Sequence, residues 1–350
     1  MGDKHTVRFE PVGIEIEATE DETVLDAAFR QGISLMHGCR EGQCSACKAF
    51  VLDGDVQMGR YSTFALADYE SDEGYVLMCR AHAYSDLEIE LENYDEDMIR
   101  SGLPVVTASA RIAELSDLSH DISYVRLALD DPSAFRFHPG QYLDIAVPGT
   151  EEHRSFSMAC ATQTDGALEF IIKRYPGGLF SEKLTNELAV GDPLTLTGPY
   201  GAFTLRVSSD RRLVFVAGGA GMSALLALLR QMADSGSDRE VVYYYGARTE
   251  RDLIMLDEIA GLAEKLPNFT FVPCLSHSWP DDWPAAHPGG ATGFVTEVLE
   301  AREPKLRDCD VYLCGPPPMI DAALPLMKCL GVPSDQLFYD KFTITAAADD

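Results

Sequence analysis

Positive charge is scarce in this 350-residue chain: 28 Lys and Arg stand against 56 Asp and Glu, a formal net charge of −28. A surface of that sign repels nucleic-acid phosphates and anionic lipid headgroups, which argues against a binder of either. Long apolar runs are also missing. The longest, Leu213–Leu229, only reaches the lower limit for a membrane span, and its Gly218, Gly219 and Gly221 suit a strand, loop and helix better. The opening residues, Met-Gly-Asp-Lys-His-Thr, lack the apolar stretch of a secretory signal. Internal repeats and low-complexity tracts are absent. An even set of cysteines is missing too. There are 9, and an odd count without a signal points to a reducing cytosol, with cysteines as ligands, core residues or reactive thiols.

What is present is ordinary in bulk. Apolar residues make up 46 % and charged residues 24 %, the balance of a globular protein, and the length suits two or three domains. The acidity is uneven. Residues 1–98 hold 22 acidic and 7 basic side chains, a net of −15. A partner docking there needs a basic surface; an acidic face that only confers solubility is the alternative.

The pattern divides the chain at residues 1–98, 104–207 and 211–345. In the first part Val7–Glu10 and Gly13–Ala18 read as a hairpin, Glu22–Gln31 as a helix, and Tyr75–Cys79 and Leu87–Leu91 as strands. The acidic stretch Asn93–Gly102 reads as a linker. Short alternating segments follow, among them Tyr124–Leu129, Tyr142–Val147, Leu168–Lys173 and Leu194–Thr197, and predict an antiparallel β-barrel. From Leu213 strands and helices alternate strictly, which predicts an α/β domain with a parallel sheet covered on both faces.

Cys39, Cys44, Cys47 and Cys79 form C-x4-C-x2-C-x31-C, the spacing of a plant-type [2Fe–2S] site. Three thiolates on one loop must converge on a small cluster, so the loop has to fold tightly. Gly38, Gly42, Ser45 and Ala46 let backbone N–H groups approach the sulfurs. Zinc is the rival, but a zinc ribbon pairs two close-spaced cysteine pairs, and here Cys79 stands alone.

Arg154-Ser155-Phe156-Ser157 follows the strand Tyr142–Val147, and Gly177-Gly178-Leu179-Phe180-Ser181 opens a helix. A helix N-terminus built of small residues offers free N–H groups to a pyrophosphate, and Arg154 adds a charge-assisted bond. Phe156 suits the face of an aromatic ring system, and the Ser157 hydroxyl a ring nitrogen. Each piece alone reads equally as a turn or a surface residue; their order, ahead of Gly198-Pro199-Tyr200-Gly201, makes the combination specific.

Val214-Phe215-Val216-Ala217 leads into Gly218-Gly219-Ala220-Gly221 and an apolar helix, the layout of a phosphate cradle. No carboxylate stands at the tip of the second strand, which ends in Tyr245-Gly246-Ala247-Arg248. Arg248 suits a phosphate or the adenine ribose; the bland alternative is an ion pair with Glu250 or Asp252. Cys314-Gly315-Pro316 sits at the C-terminal end of the last clear strand, where open α/β sheets bind ligands. Cys314 there is either a nicotinamide neighbour or a buried core residue. Trp279 and Trp283 read as packing a loop.

Taken in order, these constellations resemble the reductase components of bacterial multicomponent oxygenases, in the ferredoxin–NADP reductase superfamily with an N-terminal plant-type ferredoxin domain. The resemblance covers roughly residues 5–345. Cys39–Ala49, Gly74–Arg80, Asp86–Leu91 and Phe338–Phe342 look most like the reductases of soluble di-iron monooxygenases. It implies a β-grasp fold for the first domain, with Cys39, Cys44, Cys47 and Cys79 on the cluster. It implies FAD at Arg154, Ser155, Phe156 and Ser157, with its pyrophosphate at Gly177, Gly178, Leu179 and Ser181. NADH would meet Gly218, Gly219, Gly221 and Arg248, and its nicotinamide Cys314, Gly315 and Pro316. Phe342 resembles the C-terminal aromatic that covers the flavin, so Ser157, Cys314 and Phe342 would flank the reacting atoms. Electrons would pass from NADH through FAD and the cluster to a di-iron hydroxylase docked on the acidic domain. A Rieske-type dioxygenase partner and a non-enzymatic ferredoxin-like carrier are the alternatives. Two residues depart from the pattern: Ala224, where relatives often have proline, and Phe156, where many have tyrosine.

Overall fold

In the computed structural model, residues 2–342 are described except 93, 95, 101, 162–165, 278, 281–282 and 284–288. Contacts divide the chain into two units, Met1–Val106 with Gly198–Ala202, and Thr107–Thr197 with Phe203–Asp350.

In the first unit, Lys4–Glu10 and Ile14–Thr19 pair antiparallel, with Val7 opposite Ile16 and the turn passing through Gly13 at φ +65°. Alternation sends Val7, Phe9, Ile16 and Ala18 into the core. The sheet runs Ile14–Thr19, Lys4–Glu10, Leu87–Leu91, Lys48–Asp53, Tyr75–Leu77, and its one parallel pair joins Lys4–Glu10 to Leu87–Leu91. The helix Val24–Arg30 buries Val24, Leu25, Ala28 and Phe29; Thr23 Oγ1 caps it by accepting from Asp26 N at 3.1 Å. A mixed sheet crossed by one helix is the β-grasp arrangement.

Two expectations for this part need revision. The strand at Tyr75 ends at Leu77, leaving Cys79 in the turn beyond it. The stretch read as a linker holds a helix, Glu96–Arg100, whose Met98 and Ile99 are buried. That apolar pair outweighs the polarity of its surroundings, and a Cβ on Gly102 would overlap the carbonyl oxygen of Gly32. The chain therefore packs onto the first unit through this stretch.

The second unit contains two sheets. One is antiparallel and runs His153–Ser157, Tyr142–Ala146, Pro193–Tyr200, Val106–Asp117, Ile122–Leu129, Ala167–Lys173. A bridge between Met158 and Phe170 brings its two ends together, so the sheet closes towards a barrel. The other is wholly parallel, in the order Ala291–Thr292, Phe269–Leu275, Val241–Ala247, Arg212–Gly218, Cys309–Gly315, Leu337–Lys341. Leu213, Phe215 and Ala217 face the helices Met222–Asp234 and Leu256–Lys265. Val214 and Val216 face Val295–Arg302 and Pro317–Cys329. The order reverses between Arg212–Gly218 and Cys309–Gly315, which opens a crevice at their C-terminal ends.

Barrel and parallel sheet share one core. Ile122, Ala159 and Ile171 are buried in the same cluster as Leu225, Leu228 and Tyr312. Arg230 fastens the seam, donating to Ala159 O at 3.0 Å, Glu169 Oε2 at 2.7 Å and Glu258 Oε1 at 2.9 Å.

Candidate functional site

The cysteine loop is shaped by backbone that ordinary residues avoid. Gly42 has φ +68° and Arg40 φ +58°, while a Cβ on Gly38 would stand 3.0 Å from Cys44 Sγ. This winding turns N–H groups onto the sulfurs. Cys39 Sγ accepts from Glu41 N at 3.4 Å and Gln43 N at 3.3 Å, and Cys44 Sγ from Cys39 N at 3.3 Å. Met78 N bonds Cys47 O at 3.0 Å and holds the turn with Cys79 against the loop.

The four thiols form two pairs, Cys39 with Cys44 and Cys47 with Cys79. The hydrogen bond from Cys44, helped by the backbone donors, lowers the Cys39 thiol, and Cys47 lowers Cys79 in the same way. Their partners are pushed up, because each shares its proton with a thiolate beside it. Among the described residues no three Cys, His, Asp or Glu side chains converge as they would on a single ion.

Behind the loop stands His37. Its Nδ1 bonds Leu35 O and its Nε2 accepts from Gly201 N, both at 2.6 Å, which fixes one neutral tautomer. Burial brings its pKa down to about 4. Tyr200 lies edge-on to Phe29 at 5.6 Å, and the Arg40 guanidinium sits 3.6 Å over the Tyr200 ring.

In the second unit Arg154, Ser155, Phe156 and Ser157 lie on one strand. Arg154 is partly buried and bonds Glu152 Oε2 at 3.0 Å, and Ser155 Oγ donates to Asp144 Oδ1 at 2.6 Å. The Phe156 ring lies 5.0 Å from that of Phe180. Gly177 turns at φ +72°, and Gly178 N-caps the helix Leu179–Asn186 without a side-chain bond to its first N–H groups. Ser181 Oγ accepts from Tyr175 N at 2.9 Å and tightens the turn, and Glu182 Oε1 takes Gly177 N at 3.2 Å.

At the crevice Gly218 ends its strand, Gly219–Gly221 form a short 3-10 turn, and the helix from Met222 begins with neither a side-chain cap nor an acid in its first turn. The glycine at 221 is required, because a Cβ there would overlap the carbonyl oxygen of Cys314. Gly315 and Pro316 lead from Cys314 into the helix Pro317–Cys329. Arg248 is exposed at the end of its strand. Asp252, one suggested ion-pair partner, is committed to Thr249 N and Oγ1, each at 2.8 Å.

Ser157 joins the two sheets. Its carbonyl accepts from Ser223 Oγ at 2.6 Å, and its hydroxyl donates to Asp340 Oδ2 at 3.4 Å. Asp340 pairs with Cys314 across two parallel strands. Burial pushes the Asp340 carboxyl up to about 6, against the pull of the Ser157 bond. Burial, and then the charge of Asp340, hold the Cys314 thiol well above its ordinary range. Phe342 N closes the group with a 3.0 Å bond to Gly315 O. Residues 343–345, the end of the expected third domain, lie outside the described residues.

Three family models match in succession. They are the 2Fe-2S iron-sulfur cluster binding domain at residues 7–84, the oxidoreductase FAD-binding domain at 109–205 and the oxidoreductase NAD-binding domain at 215–324. The propane 2-monooxygenase reductase component of Rhodococcus jostii is 54 % identical over 346 residues, covering 99 % of this chain and 93 % of its own. This chain belongs to the oxygenase reductase family. The toluate 1,2-dioxygenase electron transfer component of Pseudomonas putida is similar at 35 % identity, over 95 % of both chains. Among solved structures, the Amycolatopsis cytochrome P450 reductase GcoB aligns with a TM-score of 0.84 at 31 % identity, covering 97 % of this chain and 99 % of the other.

As an oxygenase reductase, the chain is an oxidoreductase with a [2Fe–2S] cluster, FAD and NAD as its cofactors. When bound, the flavin would supply hydride acceptance and release of single electrons, and the cluster one-electron transfer. The residues fit these groups. Two thiol pairs match two irons with two protein sulfurs each, whereas a single zinc needs one convergent set. Two helix N-termini without side-chain caps suit two pyrophosphates, the one at Met222 also free of an acid in its first turn and the one at Leu179 carrying Glu182 there. Sequence reasoning missed Asp340, although it quoted the segment around it, and His37, whose partner Gly201 is 164 residues away.

Proposed function

We propose that this reductase delivers electrons from NADH to the di-iron hydroxylase of a propane- or alkene-oxidising monooxygenase. What carries the reading is similarity along 99 % of the chain to a propane 2-monooxygenase reductase component. We assign Cys39, Cys44, Cys47 and Cys79 to the cluster, with domains at 1–98, 104–207 and 211–345. We assign Arg154, Ser155, Phe156 and Ser157 to the flavin, and Gly177, Gly178, Leu179 and Ser181 to its pyrophosphate. Gly218, Gly219, Gly221 and Arg248 meet the dinucleotide. Ser157, Cys314 and Phe342 line the reacting face, with Gly315 and Pro316 shaping the floor.

In this reading no side chain acts as a general base. The protein orients its cofactors, excludes water and holds one proton at Asp340 near the ring-binding face. The acidic residues 1–98 form the docking side for the hydroxylase. A cytosolic setting is supported by nine cysteines that all stand unbridged.

The test has two steps. Anaerobic titration with NADH should bleach both flavin and iron–sulfur absorbance, with about three electrons taken up. Turnover should then be reconstituted with a purified propane 2-monooxygenase hydroxylase, and in parallel with a Rieske dioxygenase. Turnover with the dioxygenase alone would overturn the choice of partner. Iron–sulfur bands unaffected by NADH and FAD would overturn the whole reading.

A further inference from the structure

The turn Ser62–Leu66 is fastened to the cysteine loop. Ser62 N donates to Gly42 O at 2.9 Å, and the N–H of Gly42 reaches the Cys79 sulfur. The single residue Gly42 therefore separates this turn from a cluster ligand. Ser62 also organises the turn itself. Its carbonyl accepts from Ala65 N at 2.9 Å and Leu66 N at 3.2 Å, and its Oγ from Phe64 N at 3.3 Å. Ala65 and Leu66 are buried beneath.

The side chain at the tip of this pinned turn is Phe64, and it is 99 % exposed. An isolated surface aromatic needs no explanation. This one sits on a turn hydrogen-bonded to the cysteine loop, and Tyr69, 66 % exposed, follows five residues on in the helix Asp68–Glu73. Along these segments exposed Glu41, Asp68, Asp72 and Glu73 outnumber exposed Arg60, while Arg80 packs half-buried against Gly42. A rigid aromatic with an acidic rim is complementary to an apolar pocket with a basic rim, and fully buried aromatics of this kind dominate interface energetics.

We propose that Phe64 is the anchor by which this chain engages the hydroxylase, inserting into an apolar pocket on that partner while the acidic rim meets its basic edge. The proposal rests on the function proposed above and names the contact it requires. Docking at this point sets the acceptor beside the Cys39–Cys47 loop, where the path for the electron is shortest.

The test uses the full-length protein with its cofactors, purified propane 2-monooxygenase hydroxylase, and the variants Phe64→Ala and Phe64→Tyr. Phe64→Ala should keep the visible and EPR spectra of the cluster and the rate of ferricyanide reduction by NADH. It should raise both the Kd and the KM for hydroxylase about tenfold or more, with kcat at saturation unchanged. Phe64→Tyr should stay within about threefold of wild type, since the ring is kept. A Phe64→Ala protein within twofold of wild type in Kd and KM would overturn the proposal and leave the function standing. An altered cluster spectrum would make Phe64 structural and overturn it as well. Wild-type protein that neither binds nor reduces the hydroxylase would overturn the underlying function, and this anchor with it.

Discussion

Ser157 and Asp340, 183 residues apart in sequence, meet through a hydroxyl-to-carboxylate bond of 3.4 Å. One closes a barrel strand; the other lies on the last strand of the parallel sheet. Because burial raises Asp340 to about 6, its charge changes within the range where the protein is handled. The rate of flavin reduction by NADH, followed by anaerobic stopped flow, should therefore show an ionisation near 6 that disappears in Asp340→Asn.

The same carboxyl makes a prediction for stability. A folded-state pKa above the unfolded value means the native protein binds this proton more tightly. Its contribution is fully present below about 4 and is lost as pH rises through about 6, a swing of roughly 3 kcal/mol at most. Asp340→Asn should gain stability relative to wild type between pH 4 and pH 8, measured by urea unfolding at each pH.

Two glycines of one loop should respond differently to alanine. At Gly219, with φ +56° and nothing within 4 Å of a new Cβ, the cost is backbone strain of about 1 kcal/mol. At Gly221 the new methyl meets the carbonyl of Cys314, so Gly221→Ala should lower stability by several times that amount and abolish NADH binding. Thermal unfolding and NADH titration of both variants check the contrast.

Cys44→Ser should lose the iron–sulfur absorbance and reduction of the hydroxylase, yet keep bound flavin and NADH-driven ferricyanide reduction. Cys329→Ser, at an exposed position, should keep all four. A Cys44→Ser protein with an intact cluster would show the ligand assignment to be wrong.

Glu303 is buried between the Arg212 guanidinium, which meets both its oxygens at 2.8 Å, and Tyr244 OH at 2.7 Å. Removing its charge leaves Arg212 with only the exposed Glu240 as a carboxylate partner, so Glu303→Gln should cost about 2 kcal/mol. Chemical denaturation at neutral pH measures it.

The sequence was informative wherever the signal is local. The spacing of Cys39, Cys44 and Cys47 and the apolar run Leu213–Ala217 with the glycines that follow it each lie within a dozen residues. Cys39 lies against Cys44 and Cys47 against Cys79, and Asp340 links Ser157 to the strand that carries Cys314. Met98 and Ile99 were hidden because two apolar residues barely register in an acidic stretch. Asp340 was hidden because its meaning comes from register: it matters only by lying opposite Cys314, and no local pattern states which strand pairs with which. His37 has no ligand spacing at all, and its role follows from a backbone N–H far along the chain.

The shared core of Ile122, Ala159 and Ile171 with the helix Met222–Asp234 bears on how such proteins are assembled by evolution. Cutting at Ser208–Asp210, where composition suggests a seam, would wet an apolar face on each side and strand Arg230 away from Glu169. Barrel and parallel sheet therefore behave as a single cassette, which selection can keep only as a whole. Recombination that brings in a new ferredoxin must rematch Gly198–Ala202, which meets His37 and Phe29, whereas exchange within the cassette must replace matching halves together.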